Sequence, residues 1–166
     1  NNENEKEIFN IKNSINLNTF FGKFNNYTIW ENLEPMPFGN YIIYGPTACG
    51  KYTTAINFIR PHSESALRTY KTLNVSFNKK NYYIHMSDIH FEIDMNMLGS
   101  SAKMLWICIF QLICDIVVLR KKRIAYILCK NFNIITNELL DIFQTYVSPN
   151  NHMIDKCTIQ FILLTD

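Results

Sequence analysis

The chain has little of what punctuates or cross-links a protein. Glycine and proline occur five times each in 166 residues, and no low-complexity linker or internal repeat follows residue 18. The five cysteines (Cys49, Cys108, Cys114, Cys129, Cys157) are odd in number and contain no C-x-x-C pair. They read as reduced thiols of an intracellular compartment rather than a disulfide framework. Charge of either sign is sparse: 16 Lys and Arg against 14 Asp and Glu leave +2, so no overall positive field demands nucleic acid as a partner. Long apolar runs are missing as well. The most hydrophobic window, 105–119, is too short to span a bilayer and carries Gln111 and Asp115. The opening NNENEKEIFN lacks the charged-then-apolar pattern of a signal peptide. A soluble protein of a reducing compartment is expected. No Ser–His–Asp order or paired-carboxylate spacing supports a protease or glycosidase.

What is present is a core. Hydrophobic residues make up 48% of the chain, enough for one packed domain. Residues 1–18, rich in Asn, Glu and Lys, read as a mobile lead-in, and 19–166 as the folded module. Short apolar runs then alternate with helical patterns. A buried strand is expected at 40–44, a helix at 51–59 ending before Pro61, an extended segment at 82–94 and an apolar helix at 102–119. A strand at 123–129, a helix at 137–146 and a strand at 158–164 complete the pattern. Such alternation implies βαβ units, hence an α/β fold with a parallel sheet covered by helices on both faces.

One stretch carries chemistry. Gly45-Pro46-Thr47-Ala48-Cys49-Gly50-Lys51 fits G-x-x-x-x-G-K, between a strand and a helix as the motif requires. The glycines let the backbone curl so that N–H groups face phosphate oxygens, and the helix presents its positive end to the same anion. Lys51 would meet the terminal phosphates as a point charge, with Tyr52 and Thr53 completing the first turn. The motif then departs from pattern. A serine or threonine should follow the lysine to ligate Mg²⁺, and Tyr52 carries its oxygen several ångströms too far out. An acidic residue should end a neighbouring strand, yet 124–128 runs into Cys129-Lys130-Asn131, with no carboxylate before Glu138. ATP or ADP is the ligand this loop suits; normal magnesium binding and hydrolysis are not expected. Lys130 is placed to pair with phosphate directly and lessen the need for the metal.

The order of strand, GPTACGK loop, helix, the extended segment with Ser87-Asp88, the strand ending CKN, the helix NELLDIFQTYV and the strand FILLTD resembles the AAA+ module of DNA clamp-loader small subunits of the replication factor C type. It is most similar to the divergent versions of large DNA viruses. The resemblance implies a three-layer P-loop NTPase fold of AAA+ type, with the four strands in the spatial order first–fourth–third–second and a fifth beyond residue 166, so that the chain is one part of a longer protein. It implies a nucleotide-binding or structural subunit that helps place a sliding clamp on DNA. Its partners would be other clamp-loader-like subunits and a clamp in a hetero-oligomer, with DNA met only indirectly and no membrane, in host cytoplasm, viral factory or nucleus. The family's metal-ligand role would fall on Tyr52, its acidic pair on Lys130 and Asn131, and its polar sensor on Thr165 or Asp166. A phosphotransferase or kinase with a rebuilt metal site, and a degenerate scaffold that binds no nucleotide, are the alternatives.

Three further groups read as structural. His90, Glu92 and Asp94 share one face of a strand, near His85 and Asp88, and read as its solvated side rather than a metal site. Arg120-Lys121-Lys122-Arg123 reads as a solvated connection rather than a phosphate contact. Met95, Met97, Leu98, Leu105 and Trp106 read as packing residues. Cys49 is either a small filler or a thiol sensitised by the helix end.

Overall fold

A computed structural model describes residues 37–147 and 157–166. The lead-in and the domain start expected at residue 19 lie outside the described residues. In chain order the elements are β1 (Tyr41–Tyr44), α1 (Lys51–Ile59), β2 (Lys71–Phe77), β3 (Lys80–Met86), β4 (His90–Asp94), α2 (Ala102–Val118), β5 (Ile124–Lys130), α3 (Asn137–Val147) and β6 (Thr158–Thr165).

The strands form one six-stranded sheet in the order β1-β6-β5-β4-β3-β2. Neighbours among β1, β6, β5 and β4 are parallel, whereas β4–β3 and β3–β2 are antiparallel. The sheet is therefore mostly parallel, and its parallel part follows the first–fourth–third–second order. The expected single extended segment at 82–94 is instead two strands. Ser87 breaks it: its Oγ accepts from the N–H groups of Ile89 and His90, and its own N–H donates to the His90 carbonyl, closing a tight turn. Strand β2 was not expected at all. Its alternation of Leu73, Val75 and Phe77 is a strand signal, and it turns into β3 through Asn78 and Lys79, both at positive φ.

Helices cover both faces. Along β5, Ala125, Ile127 and Cys129 enter one core with Phe91, Ile93 and the inward stripe of α2 (Leu105, Trp106, Ile109, Phe110, Ile113, Val117), joined by Leu139, Phe143 and Tyr146 of α3. Tyr126 and Leu128 point the other way, onto Ala55 and Ile59 of α1. Met95, Leu98, Leu105 and Trp106 are buried, as expected of packing residues, and Met97 packs at the edge of that core. The expected burial of β1 fails: Ile42 is 70% and Tyr44 78% exposed, because among the described residues β1 pairs only with β6 and lies at the sheet edge. Among the described residues no helix is long and apolar enough to cross a membrane.

Candidate functional site

In parallel strands the carboxyl ends lie together, and connections leaving that edge build binding sites. Here that edge gathers Gly45 after β1, Asp94 at the end of β4, Lys130 at the end of β5 and Asp166 after β6.

The loop 45–50 curls as its sequence suggests. Ala48 and Gly50 adopt positive φ of 64° and 90°, and a side chain on Gly45 would place its Cβ 2.8 Å from Cys49 Sγ. The first intrahelical bond of α1 runs from Thr54 N–H to the Gly50 carbonyl at 2.9 Å. The N–H groups of Lys51, Tyr52 and Thr53 therefore have no partner within the helix. Gly50 supplies no side-chain cap, and no acidic residue stands in the first turn. That geometry suits an anion. The Lys51 ammonium lies in the loop's mouth, donating to the carbonyls of Gly45 at 2.5 Å and Pro46 at 2.9 Å and to the Asp166 carboxylate. Asp166 also accepts from Thr47 Oγ1 at 3.1 Å. These hydrogen bonds from Lys51 and Thr47 hold the Asp166 carboxyl below the usual range.

Beside the loop sits a polar network that the sequence reading placed in solvent. His90 is fully buried and Glu92 is 5% exposed. The solvated-face expectation for β4 is thus wrong: its register sets His90 and Glu92 beside Tyr126 and Leu128 of β5, on the face that α1 covers. Glu92 Oε1 accepts from the Tyr52 hydroxyl at 2.8 Å and from His90 Nε2 at 3.2 Å, while Oε2 accepts from Lys130 at 3.2 Å. The His90 tautomer follows from its neighbour. Ser87 Oγ already accepts two backbone N–H bonds, so its own proton goes to Nδ1, 2.5 Å away, leaving Nε2–H for Glu92. Burial pushes the Glu92 carboxyl up, but the bonds from His90 and Tyr52 and the charge of Lys130 outweigh it and hold it at about 2. Partial burial and the Glu92 carboxylate push the Tyr52 phenol well above its usual range, so it stays protonated and donates.

Phosphate and magnesium fare differently at this edge. The curled loop, the bare helix end and Lys51 fit a polyphosphate. The residues do not fit magnesium: the hydroxyl after Lys51 is a phenol spent on Glu92, both Glu92 oxygens are taken, and an ammonium stands at the end of β5. Among the described residues no group of three or more His, Cys, Asp or Glu is arranged to hold a metal.

Other singled-out residues separate from this edge. Asp88 lies in the turn before β4, at the opposite end of that strand, where it accepts from Ser63 Oγ at 2.7 Å and Ser65 N–H at 3.0 Å. Arg120 is not part of a solvated run. Its guanidinium lies 4.7 Å over the Phe91 ring and donates to the Ser87 carbonyl at 3.0 Å, whereas Lys121, Lys122 and Arg123 are exposed. Cys49 is exposed, and all five cysteines are free thiols. Glu92 is the residue that sequence reasoning missed. Its signal was a lysine at a strand end where an acid is usual, which calls for a carboxylate on the adjoining strand. A scan against models of known protein families finds no match, and neither does a search of curated proteins.

Proposed function

We propose that this chain is a nucleotide-binding P-loop module of AAA+ type that holds ATP or ADP without turning it over, as a subunit of a clamp-loader-like assembly. The observation that carries the nucleotide reading is Lys51: at the first residue of α1 it lies in the mouth of a curled G-x-x-x-x-G-K loop, beside helix N–H groups that have no partner within the helix. The parallel strand order β1-β6-β5-β4 is the one the family resemblance implies. Phosphoryl transfer needs charge neutralisation and a placed water or base; Tyr52 and Asn131 supply neither, and the Lys130 ammonium can neutralise charge but cannot act as a base or orient an attacking water as a carboxylate does. Asn131 instead donates to Asp94 Oδ1 at 2.8 Å, which engages one of that carboxylate's oxygens.

The clamp-loader part rests on the resemblance and is tested by assembly: the chain is expected to co-purify in a stoichiometric complex with homologous subunits and to bind a ring-shaped clamp. The nucleotide part is tested by titrating fluorescent ATP against the wild type and Lys51→Ala. Binding by the wild type and its loss in the variant are expected, with hydrolysis near background. Equal affinities would remove the site. A magnesium-dependent turnover that disappears in Lys51→Ala would overturn the inert reading and favour the phosphotransferase class. A scaffold that takes no nucleotide is favoured by one observation, the Lys51–Asp166 ion pair, and absence of binding in both proteins would select it.

A further inference from the structure

We infer that the site takes its nucleotide as the metal-free polyphosphate, with the Lys130 ammonium, positioned by Glu92, as the phosphate-facing cation in place of a divalent ion. This rests on reading 45–51 as a nucleotide loop and adds the ionic form of the ligand and the residues that choose it.

Three observations carry it. First, the buried carboxylate beside the first turn of α1 is spoken for. Glu92 accepts from Tyr52, His90 and Lys130 together, and its side chain is 4% exposed, so a hydrated cation would have to displace both an ammonium and a phenol from a buried group. Such partners are costly to separate once desolvated. Second, Lys130 Nζ lies 5.6 Å from the centroid of the Tyr52 ring, on the residue that follows Lys51. The ammonium is therefore held next to the residue that follows Lys51, where the motif otherwise places a metal ligand. Third, Lys130 keeps 31% of its side chain exposed at the carboxyl edge of the sheet. Glu92 Oε2 uses one of its three N–H donors, which leaves two on a flexible stem for a phosphate oxygen.

The preference follows from charge. Lys51 and Lys130 attract the bare polyphosphate; a bound Mg²⁺ cancels part of the negative charge they recognise and finds both Glu92 oxygens engaged. Glu92 is a positioning residue and touches no ligand.

The experiment uses the whole chain and a fluorescent ATP analogue, titrated once in EDTA and once in excess magnesium chloride. The wild type is expected to bind at least as tightly in EDTA. Lys130→Ala is expected to lose roughly tenfold in EDTA, the scale of one charge-assisted contact, and to bind better when magnesium is added, because Glu92 Oε2 is then free. Lys130→Arg is expected to keep the EDTA affinity within about threefold, whereas Glu92→Gln loses part of it with an unchanged circular-dichroism spectrum. Wild-type binding that requires magnesium, or a silent Lys130→Ala, sinks the inference while leaving the loop reading in place, provided Lys51→Ala still abolishes binding. If Lys51→Ala is silent or the wild type binds in neither buffer, the loop reading itself falls and takes this inference with it. The wild-type comparison needs no variant to fold.

Discussion

At the residue scale, Glu92 shows how a buried charge is kept. A carboxylate that is 5% exposed survives because each oxygen meets a donor. Its value in the folded chain lies below the ordinary 4.5, at about 2, so the ionised form is favoured by folding. The stabilisation is accordingly full above pH 4.5 and is lost as pH falls through that interval toward about 2. Glu92→Gln keeps the shape and removes the charge. It is expected to cost ~2 kcal/mol at neutral pH, with the gap from wild type closing on acidification. Urea unfolding at several pH values checks this; a gap that stays constant down to the lowest pH would show that the charge is not what stabilises. The curl at Gly45 and Gly50 was legible in the sequence because the motif is local and follows from backbone shape. Glu92 was not, since period-two alternation tells which residues share a face but not which face is covered.

At the element scale, helices were read well and the antiparallel part of the sheet poorly. Helix α1 spans the expected 51–59 and α2 ends one residue short of the expected 119, because an apolar stripe and flanking breakers act within a few residues. The β2–β3 hairpin gave a weaker cue. Asn78 and Lys79 hold φ of 49° and 62°, the backbone of a two-residue turn that usually shows itself as Asn-Gly. Lys79 thus bears a conformational strain that glycine would not. Lys79→Gly is expected to raise stability by ~0.5 kcal/mol, the left-handed cost relieved less the added freedom of the unfolded chain. The thermal midpoint should rise by a degree or two, and a fall would mean that Lys79 makes contacts worth more than its strain.

At the scale of the whole molecule, the sheet is shared. Strands β5 and β6 send alternate side chains into both cores, Ile127 and Phe161 to one and Leu128 and Ile162 to the other. Neither layer keeps its partner surface if the other melts, so one cooperative transition is expected for Pro37–Asp166. Phe110→Ala and Ile162→Ala, on opposite faces, should each move the same melting curve, by about 3–5 and 2–5 kcal/mol respectively. Two resolved transitions in calorimetry would contradict this. The sequence by itself determined the α/β alternation, the curled loop at 45–50 and the phenol, ammonium and amide at Tyr52, Lys130 and Asn131, since each is written within a few consecutive residues. Only the tertiary structure decided that β1 stands at an exposed edge, that 82–94 folds back on itself, and that Glu92 joins Tyr52 to Lys130. Those depend on which strands become neighbours, and adjacency is set by long-range packing that no local pattern encodes.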